Sequence, residues 1–519
     1  DKAWSFMVRT KQPGGFMSAE QYLAMDRLAD EIANGTLRIT TRQGLQFHGI
    51  LKRNLRDSMR RIVDSGMTTW GACGDVVRNT MGPAAPLADA AHRDAQKLSE
   101  ELSERFLAKS SAYAQIWLNG EKVEFDAEGE RVEPVDEPIY GKHYLPRKFK
   151  IGIVVPPRND VDVYSQDIGF IAHAPDGEVE GYSIVVGGGF GMTHGQQATY
   201  PVLAKPLFYV AREHAAAAAE AIVTVQRDFG DRENRKHARL KYTIEDRGID
   251  WFRDEVSRRL DAPTEPLREF RFNTVADMLG WHEQGDGKLF CAVHVEVGRV
   301  TDVERGPRYR TGFRALAERF GKPLRFTPNT NAIFYDIEPS ERDAFDAALA
   351  EFEIPHSDGF TEARKTSHAC VALPTCGLAL AESERYFPSL MDEVDRILIE
   401  LGLEREPILF RMTGCPNGCA RPYNADFGFV GRGPGRYALF VGGAMTGDRL
   451  AGLERKVAKS EELPDIIRGY LRDFSDNRRD GESFSQYWGR TRVNGAAPHP
   501  DQFHVELEER AQRLADAKR

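Results

Sequence analysis

Cysteine is scarce, with six in 519 residues, far too few for a disulfide-stapled scaffold. Positive charge is not in excess either. The 70 lysines and arginines are outnumbered by 79 aspartates and glutamates, and a net charge of −9 argues against general nucleic-acid binding. Long apolar runs are missing. The most apolar helical stretch, 215–225, is interrupted by Glu220 and is too short to cross a bilayer. The glycine run at 187–191 (GGGFG) is neither G-x-G-x-x-G in a βαβ unit nor a P-loop, so no nucleotide site is expected. No secretory signal pattern opens the chain. It begins at Asp1 rather than Met, which leaves room for a removed segment. The expected setting is the cytoplasm, or an organelle stroma if a transit peptide has been cleaved.

What is present is the composition of a globular protein, 41% hydrophobic and 29% charged, long enough for about three domains of ordinary size. The chain repeats itself. Residues 37–50 (LRITTRQGLQFHGI) and 324–337 (LRFTPNTNAIFYDI) share Leu, Arg, Thr, Phe and Ile in a gapless alignment. Pro157 and Pro416 each stand ten residues before an Asp, which opens DIGF at 167–170 and DFGF at 426–429. Each is followed by a further strand and a glycine pair, VVGGG at 185–189 and FVGG at 440–443. Two motifs repeating in the same order predict a duplicated chain with a pseudo-two-fold axis, and an interface between halves is a common place for a cofactor. Hydrophobic periodicity predicts helices at 19–34, 90–106, 206–229, 250–260, 340–352 and 382–402. Short Val/Ile/Phe-rich strands fill the gaps, giving a mixed α+β protein, and a peripheral polar tail is expected after about Ser483.

Four cysteines crowd into fifty residues: Cys370 and Cys376 as C-x5-C, then Cys415 and Cys419 as C-x3-C. Iron–sulfur clusters need four soft thiolates converging on a small cube. Pro and Gly between the ligands turn the backbone without bulk, and Gly414 and Gly418 let peptide N–H groups approach cluster sulfurs. Structural zinc favours C-x2-4-C pairs and is the weaker reading. Cys73 and Cys291 have no such neighbours and read as buried small residues.

C-x5-C followed by TGCPNGCARPYNADFGFVG strongly resembles the sulfite/nitrite reductase haemoproteins. The resemblance continues through SFMVRTKQPGG at 5–15, TTRQGLQFHG at 40–49, GACGDVVRN at 71–79, YLPRKFK at 144–150, VVGGGFGMTHG at 185–195 and GWHEQGDGKLFC at 280–291. It implies duplicated ferredoxin-like and α/β sulfite-reductase repeats about a pseudo-two-fold axis. The implied units are a ferredoxin-like half-domain at 1–70, a first sirohaem- and substrate-binding α/β domain at 71–270, a second half-domain at 271–355 and a cluster-ligating domain at 356–519. It also implies a [4Fe–4S] cluster on Cys370, Cys376, Cys415 and Cys419, with the Cys419 thiolate shared with the iron of sirohaem, a tetrapyrrole bearing eight carboxylates. The first-half counterpart of the cysteine loop, 156–160, has no cysteine, so one cluster is expected.

Lys148 and Lys150 precede a strand at 151–155, and a two-residue period puts them on one face. Alone, that pattern reads as a solvated basic edge. By resemblance they match two substrate lysines, and Arg9 and Arg78 match two substrate arginines. Arg42, Gln43, Gln46, His48, Arg147, His194, Asn329 and Asn331 match sirohaem contacts, although His48 and His194 alone would read as hydrogen-bonded structural histidines. The basic run 235–239 reads equally as a carboxylate clamp or a solvated helix face. The resemblance implies an assimilatory sulfite reductase carrying out the six-electron reduction of sulfite to sulfide. Nitrite reduction is the nearer alternative, disfavoured because nitrite enzymes tend to have Asn at the place of Lys150. A non-enzymatic electron-transfer or tetrapyrrole-binding protein is the further one. The expected electron donor is a partner protein, ferredoxin ahead of an NADPH flavoprotein, with no nucleic acid or membrane involved. NTMGPAAP at 79–86 lacks the cysteine that some relatives link to a tyrosine, so no such bond is expected.

Overall fold

The computed structural model describes residues 4–109, 116–118, 121–125, 131–132, 137–493 and 503. Two sheets form the ferredoxin-like part. The first orders Ser5–Arg9, Leu45–Leu51, Leu37–Ile39 and Arg299–Val300; the second orders Gly280–Glu283, Leu289–Val293, Ala332–Ile337, Leu324–Phe326 and Phe16–Met17. Each half lends a short strand to the other's sheet, so the halves share one core, with Tyr22, Phe47, Phe313 and Phe334 in the same buried cluster. The expected repeat holds in backbone detail. Gln43 and Thr330, 287 positions apart, both have positive φ (57° and 71°), and the turns are closed by Gln43 N–H to Thr40 O and Thr330 N–H to Thr327 O, each 3.0 Å. Buried Asp26 ties the halves through ion pairs to Arg310 and Arg314.

The α/β repeats also match. Ile151–Val154 pairs in parallel with Ile168–His173, which continues antiparallel to Gly181–Val186 and Lys205–Ala211. Phe410–Thr413 pairs in parallel with Phe427–Gly433, then antiparallel Arg436–Val441 and Gly452–Lys459 follow, with His368–Ala369 added in parallel at the outer edge. Ile151 faces Ile168 and Phe410 faces Phe427, so both pairs sit 259 residues apart. In each, an Asp accepts the N–H that precedes the first strand: Asp167 Oδ2 from Lys150 at 2.8 Å, Asp426 Oδ2 from Leu409 at 2.9 Å. Asp162 and Arg421, again 259 apart, both take the left-handed conformation before a 3-10 turn. These two equivalents pair with each other across the pseudo-two-fold, Arg421 Nε to Asp162 Oδ2 at 2.8 Å. Arg411 Nη1 adds a second donor to Asp162 at 2.7 Å, where burial makes every charge need a partner.

The helices expected at 19–34, 90–106, 250–260, 340–352 and 382–402 appear as Ala19–Glu31, Ala90–Arg105, Ile249–Ser257, Arg342–Glu351 and Phe387–Glu400. The helix expected at 206–229 is shorter, Ala215–Phe229, because the aromatic and β-branched PLFYVA before it belongs to the strand Lys205–Ala211. The segment after Ser483 is not wholly peripheral. Phe484–Thr491 is a helix burying Phe484, Tyr487 and Trp488, and Phe503 packs on Tyr423 and Phe440. The rest of the expected tail lies outside the described residues. Among the described residues, no helix is long and apolar enough to cross a membrane.

Candidate functional site: a cation-walled cavity beside four thiols

Ahead of the strand Ile151–Val154 the chain is already extended. Phe149 N–H donates to Val76 O at 3.0 Å, and Phe149 O accepts from Arg78 N–H at 2.8 Å. Phe149 points into the core, so Lys148 and Lys150 point the other way, into a cavity. Arg42, Arg239, Arg421 and Cys419 also line it. Burial and then neighbouring cations, Arg239 first, push Lys148 down to about 8. Burial and then Arg42 hold Lys150 well below its ordinary range. Burial and then Arg78 lower Arg42 to about 9. Cations held this close repel one another, and an anion between them would relieve the repulsion. Beyond Lys148 and Arg239 the cavity widens into a larger, more open cleft reached by Arg147, His194, Arg235 and Lys236.

Arg9 and Arg78 lie to one side and grip the loop at 72–74. Arg78 Nε donates to Gly74 O at 2.8 Å and Nη1 to Ala72 O at 3.3 Å; Arg9 Nη1 donates to Ala72 O at 3.4 Å. Gln46, its amide oxygen turned toward Arg9, accepts from Nε at 2.9 Å. Arg78 is close enough to Arg42 and Lys148 to depress both. Cys73, expected to be buried, is exposed, its sulfur 3.2 Å from Arg9 Nη1; Cys291 is buried as expected.

The remaining expected contacts fall into two groups. Arg42, Arg147 and His194 line the cavity or cleft. Gln43, His48, Asn329 and Asn331 are buried and committed to protein partners. Gln43 bonds Gly14 and Gly82, and His48 Nδ1 faces Arg299 Nη1 at 3.2 Å. Asn329 and Asn331 both donate to Asp277, at 3.0 and 2.7 Å. The run 235–239 is not a helix face: it is an irregular segment before the helix Leu240–Arg247, with Arg235 and Lys236 on the cleft and Arg239 buried in a bidentate pair with Asp167. Sequence reasoning missed Arg421, Gln166, Asn417 and Phe190 as lining residues. Asn417 lies between Cys415 and Cys419, Arg421 two residues after Cys419, and Phe190 in the glycine motif at 185–195; Gln166 had no such marker.

The four clustered cysteines meet where His368–Ala369, Phe410–Thr413 and their following loops converge. Gly414 N–H donates to Cys370 Sγ at 3.3 Å, and a Cβ at Gly414 would lie 2.5 Å from Ala372 Cβ and 2.6 Å from Ala381 O. Burial, then Cys419 and Cys415, raises the Cys370 thiol to about 12; burial, then Cys419 and Cys376, raises Cys415 to about 11. Thiols that penalise one another's charge suit a positively charged centre that takes them as thiolates. Among the described residues no three His, Cys, Asp or Glu side chains are placed to grip a single metal ion. Cys419 is exposed toward the cavity that holds Lys148 and Lys150.

Fold and site together define an iron–sulfur protein with a cation-lined cavity on a duplicated ferredoxin-like and α/β frame. Comparison gives the family. The "Nitrite/Sulfite reductase ferredoxin-like half domain" matches residues 3–64 and 282–352, and the "Nitrite and sulphite reductase 4Fe-4S domain" matches 73–264. The second match falls on the repeat without clustered cysteines, and the 259-residue register carries the same architecture to the repeat that has them. The chain is 44% identical over 504 residues to the sulfite reductase [NADPH] hemoprotein beta-component of Staphylococcus saprophyticus, covering 97% of this chain and 87% of that one. It is 45% identical over 488 residues to the protein of the same name from Methylobacterium nodulans, covering 94% and 80%. The solved structure of the Mycobacterium tuberculosis NirA protein superposes with a TM-score of 0.77 at 27% identity, covering 94% of this chain and 84% of that one. The chain belongs to the nitrite and sulphite reductase family.

Proposed function

We propose that this chain is an assimilatory sulfite reductase, with a [4Fe–4S] cluster on Cys370, Cys376, Cys415 and Cys419 and sirohaem in the adjoining cavity. The observation that carries the reading is Cys419, whose sulfur opens from the thiol cluster directly into the cation-lined cavity. When bound, the coupled metal centres supply the electrons and an iron on which sulfur passes from +4 to −2. The chain's own residues do the rest. Lys148 and Lys150 hold the oxyanion by charge, and with ammonium groups lowered toward neutrality they can each give up a proton as oxygens leave as water. Arg9 and Arg78, fixed by the 72–74 loop, close the cationic ring from the side. Arg42, Arg147 and His194 line the walls where tetrapyrrole carboxylates would be held, guanidinium groups suiting carboxylates by shape. Gln43, Gln46, His48, Asn329 and Asn331 support those walls from behind.

The relatives are named for NADPH, which favours an NADPH flavoprotein as donor over the ferredoxin expected from sequence, and their bacterial sources favour the cytoplasm over a stroma. The test is direct. Holoenzyme supplied with a chemical reductant should convert sulfite to sulfide and show a sirohaem spectrum. That spectrum without sulfide would favour a carrier. Turnover of nitrite with none of sulfite would favour the nitrite alternative.

A further inference from the structure

Asp167 has no part in the reaction outlined above, yet its carboxylate joins two members of the cation wall. It is fully buried. Oδ2 accepts the Lys150 backbone N–H at 2.8 Å. Both oxygens take the Arg239 guanidinium, Nη2 at 2.9 Å to each and Nε at 3.2 Å to Oδ1. Arg239 reaches the cavity from a different element, the entry to the helix Leu240–Arg247. That entry is held in place by Lys241 Nζ, which donates to Gly189 O at 3.0 Å and Gly191 O at 3.1 Å. Asp167 therefore ties the lysine segment to the arginine segment across the cavity wall.

The second repeat gives the same carboxylate a different partner. Asp426, the equivalent residue, makes the same bond to the N–H before its strand, but its other oxygen accepts from the Ser485 hydroxyl at 2.7 Å. The neighbouring Arg449 spends its donors on the carbonyls of Gly442, Gly443 and Ser485. A hydroxyl takes the guanidinium's place there, and burial pushes that carboxyl up to about 6. The first repeat uses a guanidinium instead, in a cavity where Lys148, Lys150 and Arg42 already repel further positive charge. Arg239 lines the cavity beside these cations as well as pairing with Asp167, and an anion held among them would relieve their mutual repulsion.

We propose, resting on the sulfite-reductase reading, that Arg239 is a further anion-binding residue of the cavity and that Asp167 is the positioning residue setting Arg239 and Lys150 in register for an oxyanion with several oxygens. The test uses the cofactor-loaded enzyme in Asp167→Asn, Arg239→Gln and the double variant. Three quantities are read: iron and acid-labile sulfide content, sulfite affinity from the shift of the haem absorption band, and kcat against KM. Each single variant should keep its cofactors and bind sulfite about tenfold more weakly, mainly in KM, as for loss of one charge-assisted hydrogen bond. The double variant should be no worse than about the same tenfold, because the two residues act as one unit. Wild-type affinity in both singles, with cofactors intact, would overturn the proposal; so would a multiplicative loss of about a hundredfold in the double variant. If Asp167→Asn fails to fold, Arg239→Gln against Arg239→Lys decides. Gln should weaken sulfite binding and Lys, which keeps the charge, should recover part of it; wild-type binding in both would sink the idea. A wild-type holoenzyme that makes no sulfide would instead be a failure of the functional reading.

Discussion

In the first α/β repeat the loop between the parallel strands reads PPRND at 156–160; in the second, 259 residues on, it reads CPNGC at 415–419. The strands around these loops share register, the carboxylates behind them share a backbone bond, and the glycine pairs after them repeat. The difference lies in what each repeat turns toward the axis. The first contributes cations, Lys148, Lys150 and Arg239; the second contributes thiols and Arg421. On the axis a residue meets its own copy. Two identical ionised residues there would repel, and the chain instead places Asp162 against Arg421. Duplication built the frame, and divergence at the equivalent positions made one site with two unlike walls.

Removing the junction between the walls should have the largest effect. Cys419→Ser is expected to abolish cluster–haem coupling and sulfite reduction, read by the visible spectrum and by sulfide release; retained turnover would detach the thiol wall from the chemistry. Next, Lys148→Ala and Lys150→Ala should each lower turnover on the order of a hundredfold while cofactor content stays near wild type. Rates near wild type would remove the cation wall from the mechanism. The same lysines predict a pH dependence. With Lys148 lowered to about 8, it carries its charge below that pH and loses it above. Sulfite affinity should therefore fall as pH rises through about 8, and Lys148→Arg should move that limb upward.

The axis itself can be broken. Asp162→Ala leaves Arg411 and Arg421 without their shared carboxylate in the interior, a loss of about 3–5 kcal/mol measurable by denaturant or thermal unfolding. A smaller effect sharpens the match between repeats. Gly169 and Gly428 are equivalents. A Cβ at Gly428 would lie 2.0 Å from the Pro422 carbonyl oxygen, whereas at Gly169 the nearest atom is a Val163 methyl at 2.3 Å. A backbone atom yields less than a side chain. Gly428→Ala should therefore cost about 3 kcal/mol and Gly169→Ala about 1–2, compared as midpoint shifts.

Much of this was legible in the sequence, and the rest was not for identifiable reasons. The cysteine spacing, both internal repeats and the two-residue alternation of Lys148 and Lys150 are local patterns, and each has its counterpart in the structure. The helix expected at 206–229 starts only at Ala215, because the alanine-rich run beginning there masks a strand signal in PLFYVA. The apolar residues of the helix Phe484–Thr491 were overlooked within a polar stretch. Cys73 looked like core filler because nothing near it in sequence announces Arg9, 64 positions away. The pairs Asp167–Arg239 and Asp162–Arg421 span 72 and 259 positions, and only the fold brings them together. Gln43, Asn329 and Asn331 carry family motifs, but their partners, Gly82 and Asp277, lie 39 to 54 positions away within the same half and are brought to them only by the fold.

The claim beneath all of this is that four thiols gather a cube of iron and sulfide beside the cation wall, with a tetrapyrrole iron next to it. Iron and acid-labile sulfide counted in purified holoprotein, alongside its visible spectrum, test it most directly. About five irons and about four sulfides per chain with sirohaem bands are the predicted result; zinc, or iron with no labile sulfide, would contradict it.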